Sequence, residues 1–180
     1  IGMAYFDEGT YLDKALDNYF ASLKLSEEIG DKRNLANTYG NIGLVYYQQG
    51  NYPEALKYHF ASLKIREEIG NKEGIATCCR NIGMVKLKMH AEKEAQDWQI
   101  TGLAIDKAPE AIPHLRDLYS SLSETDSALG NLKGAYVNNK LYIACCDRLR
   151  KLEHHMTQVA LQHNSKPCKK QDSFNLVLVA

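Results

Sequence analysis

At 180 residues, with 44% hydrophobic and 24% charged residues, the chain suits one ordinary domain or a short stack of repeats, and it is too apolar for a disordered segment. Its 22 basic and 22 acidic residues cancel to a formal net charge of zero, which argues against non-specific binding to nucleic acid or anionic lipid. No apolar run is long enough to span a bilayer, so no direct membrane insertion is expected.

The chain opens on Ile1 with no signal peptide ahead of it. Ile1-Gly2-Met3-Ala4-Tyr5 matches Ile42-Gly43-Leu44-Val45-Tyr46 at a shift of 41, so the chain starts inside a repeat unit, as expected of a fragment or a processed piece. From Ala15 the shift settles at 40. Phe20-Ala21-Ser22-Leu23-Lys24 and Glu27-Glu28-Ile29-Gly30 return as Phe60-Ala61-Ser62-Leu63-Lys64 and Glu67-Glu68-Ile69-Gly70. Over Ala15 to Val45, 17 of 31 positions are identical at that shift, far beyond chance. The extra residue upstream fits in the turn after Gly9, which is one residue longer than the turn after Gly50. The correspondence continues more weakly through Ala55, Ala95 and Ala135, and through Leu63, Leu103 and Ile143.

The period predicts four units, a truncated 1–30 followed by 31–70, 71–110 and 111–150. Each unit reads as two helices. Leu35, Tyr39, Ile42 and Tyr46 recur at spacings of four, three and four, the stripe of an amphipathic helix. Gly50-Asn51 ends that helix, and Pro53 falls where a first-turn proline is tolerated. Leu56, Phe60, Leu63 and Ile69 form a second stripe, closed by Gly70-Asn71. A single hairpin cannot bury its own apolar face, so stability requires stacking. Gly43 and Gly83, with Ala55 and Ala95, are expected where two helix backbones approach closely.

Past residue 140 the pattern changes. Leu149, Leu152, Met156 and Val159 continue a helix that either caps the stack over 151–164 or begins a coiled coil. Asn164-Ser165-Lys166-Pro167 breaks it, leaving 165–180 as an expected flexible tail, although Phe174-Asn175-Leu176-Val177-Leu178-Val179 carries a strand signal. Residues 140–180 hold seven Lys or Arg against three acids, an ordinary solvated basic end.

Catalytic and metal signals are weak. Cys78-Cys79 and Cys145-Cys146 are adjacent pairs rather than the CxxC spacing of a zinc or redox site, and with Cys168 they make an odd count that fits a reducing compartment. They read as small buried helix residues. His59, His90, His114, His154, His155 and His163 form no HExxH, and a phospho-accepting His154 or His155 lacks an acidic residue after it. There is no phosphate-binding glycine loop and no GxSxG. Trp98 reads as core. No enzyme activity, cofactor or metal is expected.

Tyr39, Ile42-Gly43, Tyr46, Gly50, Tyr52, Ala55 and Ser62-Leu63 resemble the tetratricopeptide repeat (TPR) signature. The 40-residue period is similar to the longer variant found in Leu-Gly-Asn-type scaffolds and bacterial signalling proteins. Ser62-Leu63-Lys64-Ile65-Arg66-Glu67-Glu68-Ile69-Gly70 and Leu141-Tyr142-Ile143-Ala144 resemble the arrays in the sensory half of bacterial sensor kinases. The resemblance spans residues 1 to 150. Unit three departs from it at Lys86, His90 and Glu92, and unit four at Ser123 and Asp126.

The resemblance implies an all-α solenoid of antiparallel hairpins whose first helices line a concave groove for a protein or peptide partner. Its lining would be Asn37, Asn41, Tyr47 and Gln48 from unit two and Arg80, Asn81, Met84 and Lys88 from unit three. Asparagine offers a donor and an acceptor to an extended backbone, and arginine a forked contact to a carboxylate. A role in signal transduction is expected. The alternatives are a regulatory fragment of a larger sensor kinase and a module that self-associates through the helix near Leu149 to Val159. The expected location is cytoplasmic, or periplasmic within a membrane sensor.

Overall fold

Five short turns set the architecture, and four of them use the same two residues for two jobs. At Gly30-Asp31, Gly50-Asn51, Gly70-Asn71 and Gly130-Asn131 the glycine has φ between +67° and +75°, the left-handed conformation that ends a helix without a Cβ clash. The following residue then donates its N–H back across the turn, as from Asn51 to Tyr46 O at 2.9 Å and from Asn71 to Arg66 O at 2.9 Å. Its side chain caps the next helix. Asp31 Oδ1 accepts from the Asn34 N–H at 3.0 Å and Asn71 Oδ1 from the Gly74 N–H at 2.9 Å. One dipeptide thus stops one helix and starts the next.

The computed structural model describes residues 8–105 and 112–164, with side chains over 11–105 and 112–158. Seven helices follow in order: α1 (Glu8–Ile29), α2 (Lys32–Gln48), α3 (Tyr52–Glu68), α4 (Lys72–Lys88), α5 (Glu92–Ile105), α6 (Ile112–Ala128) and α7 (Leu132–Asn164). No strand occurs among the described residues. Helices α2 and α3, α4 and α5, and α6 and α7 pair as hairpins, while α1 packs on α2, α3 on α4 and α5 on α6. This is the all-α solenoid the resemblance implied. Helix α7 passes the expected boundary at 150 without a break and ends at Asn164, before Pro167. The sequence readings at 1–5, 165–180 (with the strand signal at 174–179) and Cys168 lie outside the described residues.

Two of the inter-helix seams carry a small apolar core. Leu16 of α1 meets Ile42 and Val45 of α2, with Tyr46 and Tyr58 against them. Leu63 of α3 meets Cys78 and Ile82 of α4, with Leu56, Ile75 and Trp98 at the edge. Trp98 is therefore half-buried at the rim, edge-on to Phe60 at 5.5 Å, rather than central. Cys78 and Cys79 are buried as expected, whereas Cys145 and Cys146 are only half-buried because α7 has no helix on its far side among the described residues.

Two close approaches set a glycine of the first helix against a polar residue of the second. A Cβ at Gly43 would sit 2.7 Å from the His59 ring, and one at Gly83 would sit 2.8 Å from Gln99 Cγ and 3.1 Å from Ala95 O. His59 and Gln99 occupy equivalent places 40 residues apart, and both are buried completely enough to be 1% and 0% exposed. Both His59 ring nitrogens lack a hydrogen-bond partner, while Gln99 Nε2 donates to Ser121 Oγ at 2.7 Å.

The positions that depart from the repeat pattern are packed by different chemistry. Tyr46 stacks on Tyr58 with ring centroids 5.5 Å apart. Its counterpart Lys86 instead pairs with Glu94 at 2.7 Å. The next counterpart, Asp126, is buried and accepts from Gln96 Nε2 at 2.7 Å, Asn138 Nδ2 at 2.8 Å and Asn131 Nδ2 at 3.0 Å. Three donors satisfy a carboxylate that would otherwise be costly to bury. His90, in place of a turn glycine, adopts φ +57° all the same.

Candidate peptide-binding groove

Helix α4 touches both α2 and α6, so the first helices of the three complete hairpins lie side by side. The reason is periodicity. Each hairpin repeats the last after 40 residues, and equivalent helices face the same way. Of the residues expected to line this face, Asn41, Gln48 and Lys88 are exposed. No hydrogen bond or ion pair engages their side chains with another described residue. Tyr47 and Met84 are half-buried. The Tyr47 ring tilts against Tyr52 at 6.0 Å, and burial raises its phenol pKa, while the Lys88 charge pulls the other way.

The remaining three are committed to contacts within the chain. Asn37 is exposed, yet its Oδ1 accepts from Arg66 Nη2 at 3.0 Å. Asn81 is only 5% exposed, and its Oδ1 accepts from Arg80 Nη2 at 3.2 Å. Arg80 Nη1 binds Asp117 Oδ2 at 3.0 Å, an ion pair whose side chains are 26% and 30% exposed. The forked guanidinium expected to meet a partner's carboxylate already holds one from α6. That carboxylate is shared, because Arg116 Nε and Nη2 reach Asp117 Oδ1 at 2.8 and 2.7 Å.

Asp117 is the residue that sequence reasoning missed. It lies 37 positions beyond Arg80, and neither helix stripe nor period marks it as a partner. With Thr77, Arg80, His114 and Leu118 it lines a shallow recess between α4 and α6. His114 Nε2 sits 3.4 Å from Glu73 Oε1 across the same recess. The arrangement offers hydrogen-bond donors and acceptors along one face. Among the described residues no group of three or more His, Cys, Asp or Glu is placed to hold a metal ion. No described helix is long and apolar enough to cross a membrane.

Comparisons with known proteins agree with this fold. The crystal structure of BtubC (BKLC) from P. vanneervenii is similar at a TM-score of 0.62, with 20% identity, over 97% of this chain and 66% of that one. The apo form of RapI is similar at a TM-score of 0.50, with 15% identity, over 80% of this chain and 65% of that one. At such identities the likeness is one of fold. The chain spans just under two thirds of the length of each of these proteins. No curated protein matches it. The family model for the tetratricopeptide repeat matches residues 1–68 and 35–108, more than half of the sequence. With that match, the 40-residue period and the stacked helical hairpins, the chain belongs to the tetratricopeptide repeat family.

Proposed function

We propose that this chain is a non-catalytic scaffold that binds an extended peptide or a partner protein along the face formed by α2, α4 and α6, and that it serves signal transduction. The observation that carries the reading is the row of Asn41, Gln48 and Lys88, polar side chains on neighbouring first helices that fold stability does not engage. Amide side chains suit an extended backbone because each can donate and accept at once. Asn37, Arg80 and Asn81 shape this face through Arg66 and Asp117 and contact a ligand only by exchanging those partners. Tyr47 and Met84 supply apolar surface between the polar groups. In this reading the units of the array are 1–30, 31–70, 71–110 and 111–150, and residues 151–164 prolong the last helix of the fourth unit. The compartment is cytoplasmic in this reading.

The test is binding to an array of random peptides by the full chain and two variants. Asn41→Ala/Gln48→Ala/Lys88→Ala removes the row, while Lys57→Ala/Lys64→Ala alters exposed residues of α3. Peptides retained by the second variant and lost by the first, at unchanged helicity, support the groove. Equal retention by both variants would overturn it.

A further inference from the structure

The outward face of α7 differs from those of the helices it repeats. Leu63 of α3 is 7% exposed beneath α4, whereas its counterpart Ile143, two periods on, is 49% exposed. Leu56 packs at the edge of the same seam, and its counterpart Tyr136 is 63% exposed. His59 and Gln99 are buried, and their counterpart Asn139 is open. The face that in α3 and α5 receives the next hairpin therefore receives nothing here among the described residues. Tyr136, Lys140, Ile143 and Asp147 recur at spacings of four, three and four, one stripe along that face.

We propose that a second copy of this chain docks on this stripe, its α7 antiparallel to the first across a two-fold axis between Ile143 and Ala144. The charges carry the choice of occupant. Lys140 and Asp147 lie equally far on either side of that axis, so the symmetry sets each Lys140 at the height of the partner's Asp147, twice over. It also brings the two Ile143 side chains together at the centre. Tyr136 falls at the height of the partner's Lys151, an ammonium over an aromatic face. A parallel pairing would set like charges against each other.

Within one chain these groups hold only weak contacts. Asp147 accepts from Arg150 at 3.2 Å with side chains 54% and 79% exposed, and Lys140 Nζ lies 5.6 Å from the Tyr136 ring centroid. Exposed contacts of this kind contribute little, so exchanging them across the axis costs little. The surface is distinct from the α2, α4 and α6 face, and docking leaves that face open.

The experiment is sedimentation equilibrium of the full chain over a concentration series, under reducing conditions so that Cys145 and Cys146 cannot cross-link. The expected result is a reversible dimer. Lys140→Glu and Asp147→Lys each replace two attractions by two repulsions and should raise the dissociation constant about tenfold or more. The double variant Lys140→Glu/Asp147→Lys should return it close to the parent value. Both positions are exposed, so circular dichroism should show folding unchanged. A monomer at every concentration would mean that another occupant covers this face. A dimer indifferent to the single changes would place the contact elsewhere, and single changes without rescue would rule out this antiparallel register. Each of these three results overturns the proposal.

Discussion

Lowering the pH from about 7 to about 5 should destabilise the fold through His59 by about 2 kcal/mol. The ring is buried against Gly43 at the seam of α2, α3 and α4, and both of its nitrogens lack a partner. Burial first, and the positive charge of Arg80 second, lower its pKa from 6.5 to about 4. Because the folded value is depressed, the unfolded chain binds a proton that the folded chain refuses at any pH between the two values. The stability associated with neutral His59 is therefore complete above 6.5 and declines as the pH falls toward 4. At about 1.4 kcal/mol per pH unit, most of the interval between 6.5 and 5 counts in full.

The control is His59→Gln, which introduces the residue that Gln99 supplies at the equivalent place one repeat later. Thermal or urea unfolding of both proteins, followed by circular dichroism at the two pH values, isolates the His59 contribution, since the two proteins share every other residue. The parent should lose about 2 kcal/mol more than the variant, a difference of roughly 4–8 °C in Tm for a chain of this size. Equal losses in the two proteins would refute the reasoning and show that the buried ring accepts its proton without cost.

Three further outcomes follow from the same packing. His90→Gly should raise stability by about 1 kcal/mol, because a side chain at φ +57° is strained where the four matching turns use glycine, and adding Ala91→Asn to supply the missing cap should give about 1 kcal/mol more in a melting experiment. Gly43→Ala should destabilise by about 1–3 kcal/mol because its Cβ would meet the His59 ring at 2.7 Å, whereas Gly40→Ala, 3.6 Å from Ser62 Oγ, should be neutral or stabilising by up to about 1 kcal/mol, and a shift in the same direction for both would contradict the geometry. Cys145 and Cys146 should label with a thiol reagent before Cys78 and Cys79, since burial raises the Cys78 pKa and takes Cys79 to about 11; mass mapping of a timed reaction checks the order.

The solenoid was legible because it rests on local rules repeated at a fixed interval. Gly50-Asn51 and Gly70-Asn71 mark a helix stop and a helix start by chemistry that acts within a few residues, and the 40-residue identity reveals the stacking. Ile42, Ala55 and Ile82 could be assigned to the core from periodicity alone, and all three are fully buried. The candidate groove was legible only in outline. The family resemblance implies which helices line it, but it cannot say whether a polar side chain there is already engaged.

That second question was decided by tertiary structure. Arg80 meets Asp117 because α4 and α6 lie side by side, and Asn37 meets Arg66 because α2 and α3 close as a hairpin. Such pairs join residues 37 and 29 positions apart with no repeated signature. The weakened positions show the same division. From the sequence, Lys86 and Asp126 are merely missing aromatics; in the fold, Lys86 pairs with Glu94 and Asp126 accepts from three amides. Sequence by itself determined the period, the turns and the apolar stripes, since these depend on backbone conformation and nearest neighbours. Only the packed structure decided which polar groups satisfy one another and which, such as Asn41, Gln48 and Lys88, remain turned to solvent, because that depends on distances between helices that the chain sets only when it closes on itself.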